Sequence, residues 1–172
     1  MRAASRHQLV MGIFPSSRGF GFSLLEGPLS PVAWGIVRIR SARRNRHCIA
    51  RIARLFGRYS PDVVVLQDMD DPRARRARRI RDLNEAIQVL AETQGIPVVT
   101  YSRSRVRHCF GADGFRTRYQ MAEAIGRHIP MLERFVPPIR KYWETEHRRM
   151  PLFEAVGLVL TYYHSHMPSN EQ

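Results

Sequence analysis

The chain has 172 residues, with 28 Lys plus Arg against 15 Asp plus Glu, a formal net charge of +13. Apolar residues at 44% are enough for a core and exclude wholesale disorder, and the length points to one domain over 1–172. A surplus that large calls for a polyanionic partner, nucleic acid first and an anionic membrane surface second. All of the basic residues except Lys141 are arginine, whose planar fork can hold two phosphate oxygens at once. Cys48 and Cys109 lie far apart with no metal-ligand spacing, which excludes a disulfide scaffold and fits a reducing cytosol. No stretch approaches the ~20 apolar residues of a membrane span, and Met1 to Ile13 has too short an apolar run for a signal peptide. The expectation is a soluble, cytoplasmic protein.

Gln8 to Phe14 is an apolar run stopped by Pro15-Ser16-Ser17-Arg18-Gly19, and Phe20 to Leu25 is a second, closed by Gly27-Pro28-Leu29-Ser30-Pro31. Val32 to Arg40 alternates, Trp34 and Ile36 on one face and Val37 and Ile39 on the other. Three short strands joined by tight turns predict an antiparallel meander. The period then changes: Cys48, Ile49, Ile52, Ala53 and Phe56 form a helical stripe. After Pro61-Asp62, Val63 to Leu66 reads as a strand buried on both faces. A long helix is predicted from Pro72 to about Gln94, with Asp70 or Asp71 as its cap and Gly95 as its end. Ile96 to Tyr101 is the next strand, and the remainder is mostly helical, its last helix running from Arg149 to Tyr163. Met167 to Gln172 reads as a loose tail. The order β-β-β-α-β-α-β-α predicts an α/β fold, a mixed five-stranded sheet with helices on both faces.

Five landmarks carry a resemblance. They are Met11 to Gly19 on the first strand and its turn, Val64-Val65-Leu66-Gln67-Asp68, and Gly95-Ile96-Pro97-Val98. Val106-Arg107 leading to Thr117-Arg118-Tyr119-Gln120-Met121, and Leu152 to Leu158 in the final helix, complete the set. In this order and spacing the chain resembles the RuvC-type Holliday-junction resolvases of the RNase H-like fold, over roughly residues 8–163. That resemblance implies a duplex- or junction-binding endonuclease, dimeric by analogy, in which acids from the first strand, fourth strand and last helix hold two divalent metals. Mg²⁺ or Mn²⁺ would be the ions, since hard cations prefer charged oxygen ligands.

The positions depart from that pattern. The first-strand aspartate position is Phe14, the fourth-strand glutamate position is Gln67, and the two last-helix positions are Pro151 and Glu154. Of the four acids, only Glu154 is retained. Asp68, next to Gln67, points to the opposite face of a regular strand unless a bulge redirects it. Asp71 has the right parity but lies ~13 Å further along an extended chain. A rearranged metal set of Glu154, Asp68 and Asp71 therefore stands beside helix capping for the aspartates.

Arg73, Arg75, Arg76, Arg78, Arg79 and Arg81 place six arginines within nine residues. At the start of the predicted helix they oppose its dipole and repel one another, a penalty a bound polyanion would relieve. Ala74, Ala77, Ile80, Leu83, Asn84 and Ile87 supply that helix's inward face. A second cluster is Arg103, Arg105, Arg107, Arg116 and Arg118; by the resemblance, Arg107 and Arg118 occupy DNA-contacting lysine positions. Gly111, Gly114 and Thr117 predict a turn and a helix cap beside them. Arg40, Arg43, Arg44 and Arg46 form a third group. Phe110 and Phe115 could pack beneath this loop or wedge between bases. His164 and His166 could suggest a metal but read as helix-end or solvent-exposed charges before the tail, and His108 could touch phosphate with nothing local to support catalysis.

Three readings stay open. The leading one is a nucleic-acid-binding protein, DNA foremost, whose two-metal site is mostly lost. The second is an active endonuclease with a rearranged site, and the third a non-catalytic subunit pairing with itself or another protein.

Overall fold

Alternation along the first strands sorts side chains between two layers. In the computed structural model, which describes residues 7–110, 115, 117–139, 141 and 144–166, β1 (Val10–Ser16) pairs antiparallel with β2 (Gly19–Leu25), and β2 with β3 (Pro31–Arg38). β4 (Val63–Gln67) pairs parallel with β1, and β5 (Val98–Tyr101) parallel with β4, giving the order β3-β2-β1-β4-β5. This is the predicted mixed sheet of five strands.

Met11, Ile13, Phe20, Phe22, Leu24, Val64 and Leu66 face one layer, α1 (Arg44–Tyr59) and α2 (Arg78–Thr93). Cys48, Ile52 and Phe56 of α1, four residues apart, supply its buried stripe, as the periodicity predicted. Val10, Phe14, Leu25, Val63 and Val65 face the other layer, which holds α4 (Arg118–His128) and α5 (Met150–His166). The alternation predicted in β3 is realised: Trp34 and Ile36 join the second layer, Val37 and Ile39 the first. Between β5 and α4 runs the short α3 (Arg103–Cys109), and a 3-10 segment spans Pro130–Phe135. α5 is apolar on nearly every side because sheet and α4 enclose it.

The long helix differs from expectation. It starts at Arg78 rather than Pro72, with Ala77 as its N-cap and no side-chain cap. Asp70 and Asp71 do not cap it. The Asp71 carboxylate instead accepts from the Arg73 N–H at 3.0 Å, and its carbonyl from the Ala74 N–H at 2.8 Å. Arg73, Arg75 and Arg76 therefore precede the helix, leaving only Arg78, Arg79 and Arg81 within it. The physical reason is the one the cluster itself supplies: six cations at a positive helix end repel, and an irregular segment lets them diverge. Met167 to Gln172, read as a tail, lies outside the described residues.

α5 approaches the sheet more closely than a side chain would allow. A Cβ on Gly12 would lie 2.3 Å from the Ala155 carbonyl oxygen, and one on Gly21 2.3 Å from Pro151 backbone atoms. Two strand glycines thus set the depth at which α5 lies. Gly12→Ala should lower stability by about 1–3 kcal/mol through overpacking against backbone. Gly57→Ala, on the exposed face of α1 with nothing within 4 Å, should raise it by ~0.5–1 kcal/mol. Urea denaturation of the two variants checks the contrast in sign.

Candidate nucleic-acid interface

Odd-numbered residues of β4 share the α5 layer with the even-numbered residues of β1, so Gln67 and Phe14 project to the same side. Glu154, one turn into α5, meets them there. The three line one cavity of about 20 Å³ together with Arg103, Phe115 and Arg118. This is the convergence that the resemblance requires of the first-strand, fourth-strand and last-helix positions. Pro151 fits the first turn of α5 and packs on the backbone of Gly21.

Cations surround the remaining acid. Nε of Arg118 lies 2.9 Å from Oε1 of Glu154, and the same guanidinium pairs with Glu146. The Glu154 contact is a charge contact, since no hydrogen-bond donor is aligned on the buried Oε1. Burial pushes the Glu154 carboxyl above the usual carboxylate range; Arg118, Arg103 and Arg76 pull it back, and Glu146 pushes it further up. Arg118 is held above the ordinary arginine value by Glu154 and Glu146, against the opposing effect of burial. Arg76 stacks its guanidinium 4.6 Å over the Phe14 ring and donates to the Gln67 side chain at 3.4 Å and to the Pro15 carbonyl. Burial, then the charge of Arg118, lower its pKa. A guanidinium thus bridges the two strand positions where the resemblance expects acids.

The pair of divalent metals that the resemblance implies does not fit here. A cavity of about 20 Å³ has room for about one water, one wall is a phenyl ring, and arginines already neutralise the one carboxylate. Among the described residues, no three His, Cys, Asp or Glu side chains are grouped to hold an ion. The rearranged set of Glu154, Asp68 and Asp71 is not assembled. β4 ends at Gln67, the Asp68 N–H donates to the Tyr101 carbonyl at 2.8 Å, and its carboxylate accepts from the Asp70 N–H at 2.9 Å. Like Asp71, it is used in shaping a turn.

The predicted basic residues divide into two groups. Arg79 donates to the Ser16 and Ser17 carbonyls at 3.1 and 3.2 Å, Arg81 forks onto the Met69 carbonyl, and Arg44 bonds Ile39 and Ser17. These tie strand ends to helices. Arg73, Arg75, Arg78, Arg105 and Arg107 are exposed, with Arg107 5.8 Å over the Phe115 ring. Arg116, Gly111 and Gly114 lie outside the described residues. Thr117 caps α4 in a reciprocal capping box with Gln120. Phe115 is buried edge-on against Phe110, the packing role weighed for both.

Two clefts meet at Glu146. The larger, about 430 Å³, is lined by Arg103, Arg118, Tyr119, Pro138 and Ile139; the smaller, about 200 Å³, by Arg18, Arg38 and Arg148. Sequence reading missed Arg18, Arg38, Arg148 and Glu146. No local signal joins them: the strand pairing of Gly19 with Arg38 brings a hairpin base beside the segment that precedes α5.

No protein-family profile matches the chain. It is 26% identical over 123 residues, 67% of this chain and 76% of the relative, to the crossover junction endodeoxyribonuclease RuvC of Thermomicrobium roseum. Among solved structures it is similar to T. thermophilus RuvC in complex with a Holliday junction substrate, with TM-score 0.66 and 17% identity over 92% of this chain and 94% of that one. The fowlpox virus resolvase with its Holliday junction DNA aligns at TM-score 0.51 and 13% identity over 91% and 99%. The chain therefore has a RuvC-like fold, as the resemblance predicted. No helix among the described residues is long and apolar enough to cross a membrane.

Arg118→Gln should destabilise the protein by roughly 2 kcal/mol at neutral pH, because it leaves Glu154 buried without its nearest cation. Glu154 already favours its protonated form relative to the unfolded chain. Its contribution is therefore most favourable below the ordinary carboxylate pKa and falls as pH rises through the raised native value. The substitution raises that value further, so the deficit should shrink on acidification. Urea midpoints of both proteins at acid and neutral pH test this.

Proposed function

We propose that the protein binds DNA, branched or duplex, on its arginine-lined face and does not cleave it by a two-metal mechanism. One observation carries this reading. The pocket in which Phe14, Gln67 and Glu154 meet is walled by Arg103 and Arg118, has Arg76 stacked on its Phe14, and is too small for a hydrated ion pair. The RuvC-like fold, the Holliday junction substrates bound in its structural neighbours and the net charge of +13 support DNA as the partner. Exposed Arg73, Arg75, Arg78, Arg105 and Arg107 supply sequence-independent phosphate contacts.

In this reading Glu154 is a structural anion that holds Arg103 and Arg118 near it, and Arg76 closes the strand ends. With one carboxylate in its lining, the pocket lacks the ligand set that two water-activating metal ions require. Affinity then depends on counterion release, with log K falling by ~0.9 per phosphate neutralised for each decade of salt. Fluorescence anisotropy with a labelled four-way junction and a matched duplex, in EDTA, should show tight binding that weakens steeply with salt. Strand cleavage should be absent in Mg²⁺ and in Mn²⁺. A flat salt response refutes the binding mode. Junction cleavage that Glu154→Gln abolishes would instead establish a metal-dependent endonuclease.

A further inference from the structure

Arg103 and Arg118 are arranged differently from the exposed arginines. Both line the small inner cavity at Glu154 and the wall of the adjoining cleft of about 430 Å³. Arg103 makes no hydrogen bond or ion pair among the described residues, although burial and the neighbouring charge of Arg118 already disfavour its cationic form. A half-buried cation that Glu154 and Glu146 compensate only in part is costly unless a further anion completes it. Arg118 does have partners, but they differ in kind. Glu154 is 12% exposed and fixed on α5, whereas Glu146 is 40% exposed and comes from the segment before α5. Glu146 stands where the two arginine-lined clefts meet.

The charges do not balance. Arg76, Arg103 and Arg118 interact with Glu154 and Glu146 alike, so three guanidiniums face two carboxylates. A carboxylate and a phosphodiester present similar paired oxygens to a guanidinium fork. The cleft, at about 430 Å³, is within the size range of a small-ligand site, and Tyr119, Pro138 and Ile139 give it an apolar wall beside the cations.

We infer that Arg103 and Arg118 form a metal-independent seat for one DNA backbone phosphate, and that Glu146 occupies this seat in the free protein as an internal mimic of the phosphate. DNA binding exchanges the Glu146 carboxylate for a phosphodiester, while Glu154 stays in place and keeps the guanidiniums aimed. No bond is made or broken, and the displaced carboxylate moves to water. The inference rests on the DNA-binding reading above.

The test compares Glu146→Gln with Glu123→Gln by anisotropy on the labelled four-way junction in EDTA. Glu123 pairs with Arg127 on α4, outside the clefts, and is 39% exposed, so the control makes the same charge change at matched exposure. Glu146→Gln should tighten binding by roughly tenfold, as expected for one charged hydrogen-bonding competitor removed, and Glu123→Gln by much less. Arg103→Gln should weaken binding and lower the salt slope by about 1. Equal effects of the two Glu substitutions, or an unchanged slope in Arg103→Gln, would overturn the seat. Should the wild type bind with a steep salt dependence in that event, only the seat fails. Salt-insensitive or absent binding by the wild type removes the DNA-binding reading itself.

Discussion

A carboxylate buried beneath arginines is the constraint from which the functional face follows. Glu154 is almost wholly withdrawn from solvent where it lies, so its charge is tolerable only with cations close by. Arg118 supplies the nearest, at the start of α4, and Arg103 another, at the start of α3. Both helix starts are poor places for a cation, because the macrodipole already puts positive charge there. Glu154 offsets that penalty from the side. One acid on α5 thus pairs with the arginine that opens α4 and favours the charge of the one that opens α3.

The depth of α5 matters to the same arrangement. Gly12 and Gly21 let its backbone contact the sheet, and this brings Glu154 level with Phe14 and Gln67 rather than a side chain's width above them. Across β1 and β4 Arg76 then closes the gap, stacked on Phe14 and bonded to Gln67. A phenyl ring and a neutral amide suit a guanidinium as an aspartate and glutamate suit metal ions. The side chains at these positions are mutually consistent: a ring and an amide that hold no divalent cation are bridged by a cation that the chain itself carries.

Much of the sheet was legible because its physics is local. Period-two alternation in β3 sorted Trp34 and Ile36 from Val37 and Ile39, and the run Val63 to Leu66 announced a strand covered on both sides. The α1 stripe of Cys48, Ile52 and Phe56 was equally direct. The start of α2 was misjudged because Pro72 and the aspartates carry real helix-start signals, and charge repulsion among arginines overrode them. Landmarks in Phe14, Gln67 and Glu154 gave the meeting point of the site. What closes it off was hidden: Arg76 looked like one of six solvent-facing charges, and only the fold shows it stacked on Phe14 and bonded to Gln67.

The hidden residues share a cause. Glu146, Arg148 and Arg18 belong to segments with no periodicity and Arg38 ends β3; a hairpin and the approach to α5 bring them together. A net charge of +13 says that a polyanion is wanted, but it treats every arginine alike. In the fold they differ: Arg44, Arg79 and Arg81 spend their donors on main-chain carbonyls, which are as much acceptors as phosphate is. Only those left facing the clefts or open solvent can release counterions on binding. The charge open to a polyanion is therefore smaller than the composition suggests, and it is divided between the exposed arginines and the two clefts that meet at Glu146.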